Sequence, residues 1–163
     1  MADCLAYWKT FWTDFGGPQG ARLDVEKCGY GSTDELFWER IERRGYDLWI
    51  VVRGDPGRDS QWRLFMRLSV KRLVHRDEVC PNRPDLFPYR VVPDLGKSTF
   101  FGVYEQPNFE SILKKLEFRT GNRITESGAR IGLTIQRIRA LSKNDTRLLR
   151  EYADARLKRA TTQ

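Results

Sequence analysis

Residues 45–73 read GYDLWIVVRGDPGRDSQWRLFMRLSVKRL, two runs of strand-forming residues around Gly54-Asp55-Pro56-Gly57. Proline sets φ and glycine supplies positive φ, so these four residues spell a tight turn. In the first run Leu48, Ile50 and Val52 point one way and Trp49 and Val51 the other, so both faces are apolar. A strand apolar on both sides is covered on both sides. In the second run Trp62, Leu64, Met66, Leu68 and Val70 alternate with Arg63, Phe65, Arg67, Ser69 and Lys71. That is the pattern of a half-buried strand whose wet face is largely cationic. The hairpin is expected to be the centre of the fold.

Working outward, Leu5–Trp12 is a strand candidate, and residues 14–27 form a Gly-rich loop of a length that often binds ligands. Cys28-Gly29-Tyr30-Gly31 leads into Ser32-Thr33-Asp34-Glu35, where Ser32 and Glu35 fit a capping box. A helix should start there, apolar at Leu36, Phe37, Trp38 and Ile41, and stop at Gly45. After the hairpin, residues 75–88 carry Pro81, Pro84 and Pro88 and read as loop. Short strands are expected at 89–92 and 98–104, then a helix capped by Asn108 and an irregular basic loop over 119–128. Residues 131–141 fit a helix or a strand equally well. Ser142 with Asp145 opens a last helix that frays at Lys158-Arg159. The order predicts an α+β fold: a small curved mixed β-sheet or β-barrel flanked by helices, one of them C-terminal. At 163 residues, a single domain over 1–157 and a basic tail over 158–163 are expected.

The chain is 40% hydrophobic and holds 20 aromatic residues, enough for a core and too many for a disordered chain. No apolar run exceeds the five residues of Leu48–Val52, and no signal-like segment follows Met1-Ala2-Asp3, so no membrane partner and a cytoplasmic location are expected. Cys4, Cys28 and Cys80 are odd in number and far apart, which argues against a disulfide framework and for a reducing compartment. The net charge is +7, and residues 119–163 carry all of it, with eleven Lys and Arg against four Asp and Glu. A basic field of this kind suits a polyanion, of which nucleic acid is the commonest.

Catalytic signals are sparse. His75 is the one histidine, and His75, Asp77 and Cys80 match no zinc spacing and lack a fourth ligand. A Cys–His pair from Cys4 or Cys28 with His75 is left open by spacing but favoured by nothing. No phosphate loop of either common type occurs. The expectation is a protein that is not an enzyme, with no catalytic residue, metal or cofactor. The aromatic residues carry more. Trp8, Trp12, Phe15, Tyr30, Trp38, Trp49 and Trp62 fall in the first 62 residues. Such rings can sandwich an unstacked base, although any single Trp more often belongs to the core. Trp12, Tyr30 and Trp38 adjoin loop or helix-start residues and are the strongest pocket candidates; Trp62 reads as core.

Three stretches together resemble the PUA-like superfamily and, within it, the EVE and YTH type of domain. They are Ala6-Tyr7-Trp8, the segment Cys28 to Thr33 with its helix, and Arg44-Gly45-Tyr46-Asp47-Leu48-Trp49-Ile50-Val51-Val52. The closing Ile135-Gln136-Arg137-Ile138-Arg139-Ala140-Leu141-Ser142, followed by Asp145 and Leu148-Leu149, is similar as well. The chain departs from the family in having Gly45-Tyr46-Asp47 for a Gly-Asp turn and Tyr30 where a YTH-type cage has Trp. The resemblance implies a small barrel whose aromatic pocket accepts a flipped, often methylated, base. Such domains are readers, often paired with a separate effector such as a nuclease. By position Trp8, Lys9 and Trp12, Tyr30 and Ser32, and Trp49 would build the pocket. The reading is a nucleic-acid binder for DNA or RNA with base-pocket residues Trp8, Trp12, Tyr30, Ser32, Trp38 and Trp49. Lys9, Arg119, Arg123, Arg130, Arg137 and Arg139 are its phosphate contacts. The alternatives are a protein-interaction module of a defence or toxin-type system with an acidic partner, and a hydrolase on the same scaffold.

Overall fold

The computed structural model describes residues 3–12, 16–32, 46–55 and 59–161. In chain order the elements are β1 (Cys4–Tyr7), α1 (Pro18–Cys28), β2 (Tyr30–Ser32), β3 (Asp47–Asp55), β4 (Asp59–His75) and α2 (Arg76–Val79). Then come β5 (Tyr89–Pro93), β6 (Thr99–Phe100), α3 (Glu110–Leu113), a 3-10 turn (Gly128–Arg130), α4 (Ile131–Ile135), β7 (Arg139–Ala140) and α5 (Lys143–Thr161). The strands form one mixed sheet in the order β2-β5-β4-β3-β1-β7, with β6 on β4. The path is open, so the barrel alternative is not realised, and the α+β class with a C-terminal helix is.

The central hairpin is β3 and β4, and β3 is dry on both faces. Leu48, Ile50 and Val52 enter a first core with Cys4 and Ala6 of β1 and Ala21 and Val25 of α1. Trp49 and Val51 enter a second core with Leu5 of β1, Leu113 of α3, Ile131 and Ile135 of α4 and Leu149 of α5. β1 lies parallel to β3, Cys4 opposite Leu48 and Tyr7 opposite Val51, and shares its alternation.

The alternation expected for β4 breaks once. Ile50 pairs with Met66 but Val51 pairs with Leu64, which leaves Phe65 as an extra residue in β4. A bulge of this kind changes which way the following residues face. Trp62 and Leu64 therefore pack in the second core, while Met66, Leu68 and Val70 pack in the first. Phe65, expected on the wet face, is buried in the first core. β4 is long enough to serve three partners, β3 up to Ser69, β5 from Val70 onward and β6 at Met66 and Arg67.

Other expectations shift. The first strand ends at Tyr7, and residues 18–28 are helix rather than loop. Pro18 occupies the first turn, where its missing N–H costs nothing, and Ala21, Val25 and Cys28 recur on one buried face. The loop over 75–88 opens with the single turn of α2. The strand at 98–104 is shortened to Thr99–Phe100. The ambiguous stretch 131–141 is helix first and strand after. The helix expected from Ser32 falls on residues outside those described, and Ser32 itself closes β2. Ser142 and Asp145 make the reciprocal capping box: each backbone N–H donates to the other's side chain, at 2.9 and 3.1 Å. α5 continues to Thr161, past the expected fraying point.

The expectation of unpaired cysteines is corrected. Cys28 at the end of α1 and Cys80 just after α2 form a disulfide across 52 residues of sequence, with Cα atoms 5.7 Å apart. Cys4 is buried and takes no part in a disulfide. Spacing along the chain does not report a distance that β5, lying between β2 and β4, creates.

One polar cluster ties the amino end to the hairpin. Buried Asp3 accepts the Trp49 indole N–H at 3.0 Å and the Asp47 amide at 3.2 Å. Arg67 stacks 5.4 Å over the Trp49 ring and donates to Asp47 at 2.5 Å. Arg150 of α5 lies 3.8 Å from Asp3. Replacing Asp3 with Ala strands two buried donors, so urea denaturation of Asp3→Ala should show a loss of about 2–3 kcal/mol. A loss below about 0.5 kcal/mol would mean the cluster is solvated.

Candidate functional site

A cavity of about 550 Å³ opens at the carboxyl end of β1. One wall is Ala6 to Thr10, which carries Trp8 and Lys9. Beside it lie Gln136, Arg137 and Ile138, because β7 pairs antiparallel with Cys4 and Leu5 and the preceding residues continue along β1. The opposite side comes from Asp24 of α1, from Gly29, Tyr30 and Gly31, and from Arg83, Asp85, Leu86, Phe87 and Arg90.

The Trp8 ring is half-buried. Three rings meet it in T-shaped contacts: Phe11 at 5.4 Å, Tyr30 at 5.5 Å and Phe65 at 5.9 Å. Contacts of this geometry are favourable by about 0.5–1.5 kcal/mol each beyond burial, so they hold the indole plane. Tyr30 is buried on β2, and burial pushes its hydroxyl above the ordinary tyrosine value, with Arg90 opposing. It therefore stays a neutral hydroxyl. Phe87 is the exposed ring of the opposite wall, 46% accessible.

Buried Arg90 organises the floor. Its Nε donates to the Cys28 carbonyl at 2.9 Å and its Nη2 to the Gly29 carbonyl at 2.5 Å. These carbonyls end α1, where the helix dipole favours a cation. Gly29 sits at φ +73°, and a Cβ there would meet the Val91 carbonyl; one at Gly31 would meet the Arg90 guanidinium. Only glycines let β2 lie this close. Asp24 lies 3.8 Å from Arg90 and 3.6 Å from Arg83. Arg83 also pairs with Asp85 at 2.9 Å, and that hydrogen bond holds the Asp85 carboxyl below its ordinary value. Lys9 and Arg137 make no ion pair with another described residue.

Four of the expected site residues thus line one cavity: Trp8, Lys9, Tyr30 and Arg137. The others lie elsewhere. Trp49 is fully buried in the second core, on the opposite face of the sheet. Trp12 donates its indole N–H to the Arg53 carbonyl at 3.2 Å and packs beside Tyr104, next to a separate, more open depression lined by residues 16–20 and Leu23. Ser32 pairs with Tyr89 as the last residue of β2. Trp38 lies outside the described residues. Arg139 donates to the Thr134 carbonyl at 2.8 Å, Arg123 pairs with Glu117, and Arg119 and Arg130 are exposed away from the cavity lining. Sequence reasoning missed Asp24, Arg83, Phe87 and Arg90. The one available signal was Arg90, a charge inside the otherwise apolar strand Tyr89–Pro93.

Among the described residues no group of three or more His, Cys, Asp or Glu is placed to hold a metal ion, and no helix is long and apolar enough to cross a membrane. No protein-family model, curated protein or solved structure matches the chain.

Burial raises the Asp24 carboxyl above its ordinary value, with Arg90 and Arg83 pulling the other way. The unfolded chain therefore gives up this proton first. The stability contribution of Asp24 is fully present below about pH 4, falls as pH rises through the raised value, and is flat above it. Asp47 is raised by burial as well and gives the same sign. Asp24→Asn should remove only the Asp24 part of that decline, read as denaturation midpoints from acid to neutral pH. Wild-type and variant curves of identical shape would remove Asp24 from the account.

Proposed function

We propose that the protein is a non-catalytic nucleic-acid-binding domain of the PUA-like, EVE or YTH kind, cytoplasmic, which holds one unpaired base, plain or modified. The observation that carries this reading is the cavity itself. Its volume of about 550 Å³ is within the range of small-molecule sites. A braced indole stands on one wall, and two cations that make no ion pair with another described residue, Lys9 and Arg137, stand beside it. A planar base would stack on Trp8, and its flanking phosphates would meet Lys9 and Arg137. Asp24, the Tyr30 hydroxyl and Thr10 supply polar groups of both senses for the base edge. DNA and RNA both satisfy this chemistry, and any cutting or signalling belongs to a separate effector.

A second reading is a protein-interaction module with an acidic partner. Leu23 and Tyr104, 60% and 58% exposed, meet at the open depression beside Gly17, which favours it. Protein capture without a gel shift would select this reading.

Under the first reading, Trp8→Ala should weaken binding of the preferred oligonucleotide by about 1–3 kcal/mol and flatten base preference. Arg137→Ala should weaken all sequences alike and reduce the salt slope by about one. Gel shift and anisotropy across salt and a panel of modified oligonucleotides measure both. Salt-independent binding, or Trp8→Ala binding as wild type does, would overturn the assignment.

A further inference from the structure

The disulfide joins α1 to the segment ahead of β5, two walls of the cavity otherwise tied by the β2–β5 ladder, which runs from Tyr89 onward. Cys28 ends α1, which carries Asp24 and leads into Gly29-Tyr30-Gly31. Cys80 begins the segment that carries Arg83, Asp85, Leu86 and Phe87. Among the described residues, the side-chain hydrogen bonds of this segment otherwise hold it mostly to itself: Arg76 of α2 donates to the Pro84 and Leu86 carbonyls at 3.0 and 2.9 Å. Between it and α1 runs the Arg83–Asp24 ion pair, 3.6 Å long, from a partly exposed arginine to a buried carboxylate. Cys28, Cys80 and Leu86 form a small apolar cluster of their own, apart from both main cores. Leu86 packs with the two cysteines and also lines the cavity.

We propose that Cys28–Cys80 is a thiol–disulfide exchange site that sets the affinity of the cavity, its redox partner a dithiol. Oxidised, the bond pins residues 81–88 against α1 and the cavity wall is formed. Reduced, that wall loosens and the occupant is held less tightly. The proposal rests on the reading of the cavity as the nucleic-acid site, and it makes the bond conditional in a reducing compartment, where disulfides are transient.

The chemistry balances. A thiolate of the dithiol attacks Sγ of Cys80, the less buried of the two residues at 6% against 1%. The Cys28–Cys80 bond breaks, Cys28 leaves as a thiolate and takes a proton, and a mixed disulfide with Cys80 forms. The dithiol's second sulfur then attacks its own bonded sulfur and releases Cys80, which takes the second proton. Two electrons and two protons pass to the protein, and the dithiol becomes a disulfide. Attack requires Leu86 to move, so an occupant lying over Leu86 protects the bond. The coupling is reciprocal: whatever factor reduction removes from affinity, ligand returns as resistance to reduction.

The test measures binding of short mixed-sequence single-stranded DNA and RNA oligonucleotides to wild-type protein in oxidised and dithiothreitol-reduced form, and to Cys28→Ser/Cys80→Ser. Hydrogen exchange across 81–88 is followed in parallel, and far-UV circular dichroism checks that the fold persists. Expected are about tenfold weaker binding on reduction, loss of protection over 81–88, and a midpoint potential about 30 mV lower with saturating oligonucleotide. Equal affinity in both redox states overturns the gate and leaves the nucleic-acid reading standing. Binding in neither state overturns the nucleic-acid reading, and exchange then decides the gate by itself. Lost protection upholds it as a property of the cavity, and unchanged protection overturns it.

Discussion

The strand that must be buried on both faces constrains everything else. Leu48, Ile50 and Val52 on one side and Trp49 and Val51 on the other are all almost fully inaccessible, so β3 needs a layer above and a layer below. α1 supplies one; α3, α4 and α5 supply the other. β4 does not follow β3 in strict alternation, because Phe65 is an extra residue within their pairing, and a second irregularity, between Val70 and Arg72, accompanies the passage to β5. The bulge at Phe65 switches the core that each face of β4 joins. It also turns the Phe65 ring into the first core, 4.7 Å from Phe11 and 5.9 Å from Trp8. One extra residue in a strand thereby braces the indole that walls the cavity.

The parts of the fold that were legible are those where one local signal met no competitor. The hairpin announced itself by a Gly-Asp-Pro-Gly turn between two apolar runs, and α5 by the Ser142–Asp145 capping box. α1 was hidden because Gly16, Gly17 and Gly20 advertise a loop, whereas its helical signal, Ala21, Val25 and Cys28, is short. The Phe65 bulge was hidden because nothing in a strand's own sequence says where its register against a partner slips. In the site, Trp8, Lys9, Tyr30 and Arg137 were legible as residue types suited to a base and a phosphate. Trp49 was misplaced because a two-sided strand offers no way to tell which core a ring joins. Asp24 and the disulfide depend on α1 lying against the 76–88 segment, a tertiary fact that composition and spacing do not encode.

The floor of the cavity shows how a buried charge is tolerated. Burial pulls Arg90 down from its ordinary value and Asp24 resists, yet arginine holds its proton over the whole working range. Its hydrogen bonds go to the last carbonyls of α1, which lack partners within the helix. A buried ion is expensive unless its donors are satisfied, and here two carbonyls and a nearby carboxylate do so. Arg90 is thus a structural cation that shapes the cavity by holding Gly29 and Gly31 close. Among the described residues of the cavity lining, the cations that make no ion pair are Lys9 and Arg137, and an anionic occupant would meet these.

This distinction decides what the basic carboxyl third can contribute. Its surplus of seven charges is spread over loops and α5. Arg123 is engaged by Glu117, Arg139 by a backbone carbonyl, and Arg150 lies beside Asp3 and Asp47. Of the five arginines singled out in that third, Arg137 alone lines the cavity. Cations beyond a Debye length, about 8 Å at physiological ionic strength, do not fix a phosphate at the cavity mouth. They would raise the local concentration of a polyanion and speed its encounter, an effect that salt removes first. Under the proposed function, contact and steering would fall to different residues. Lys9 and Arg137 would set how tightly an occupant is held, and the dispersed arginines how often one arrives.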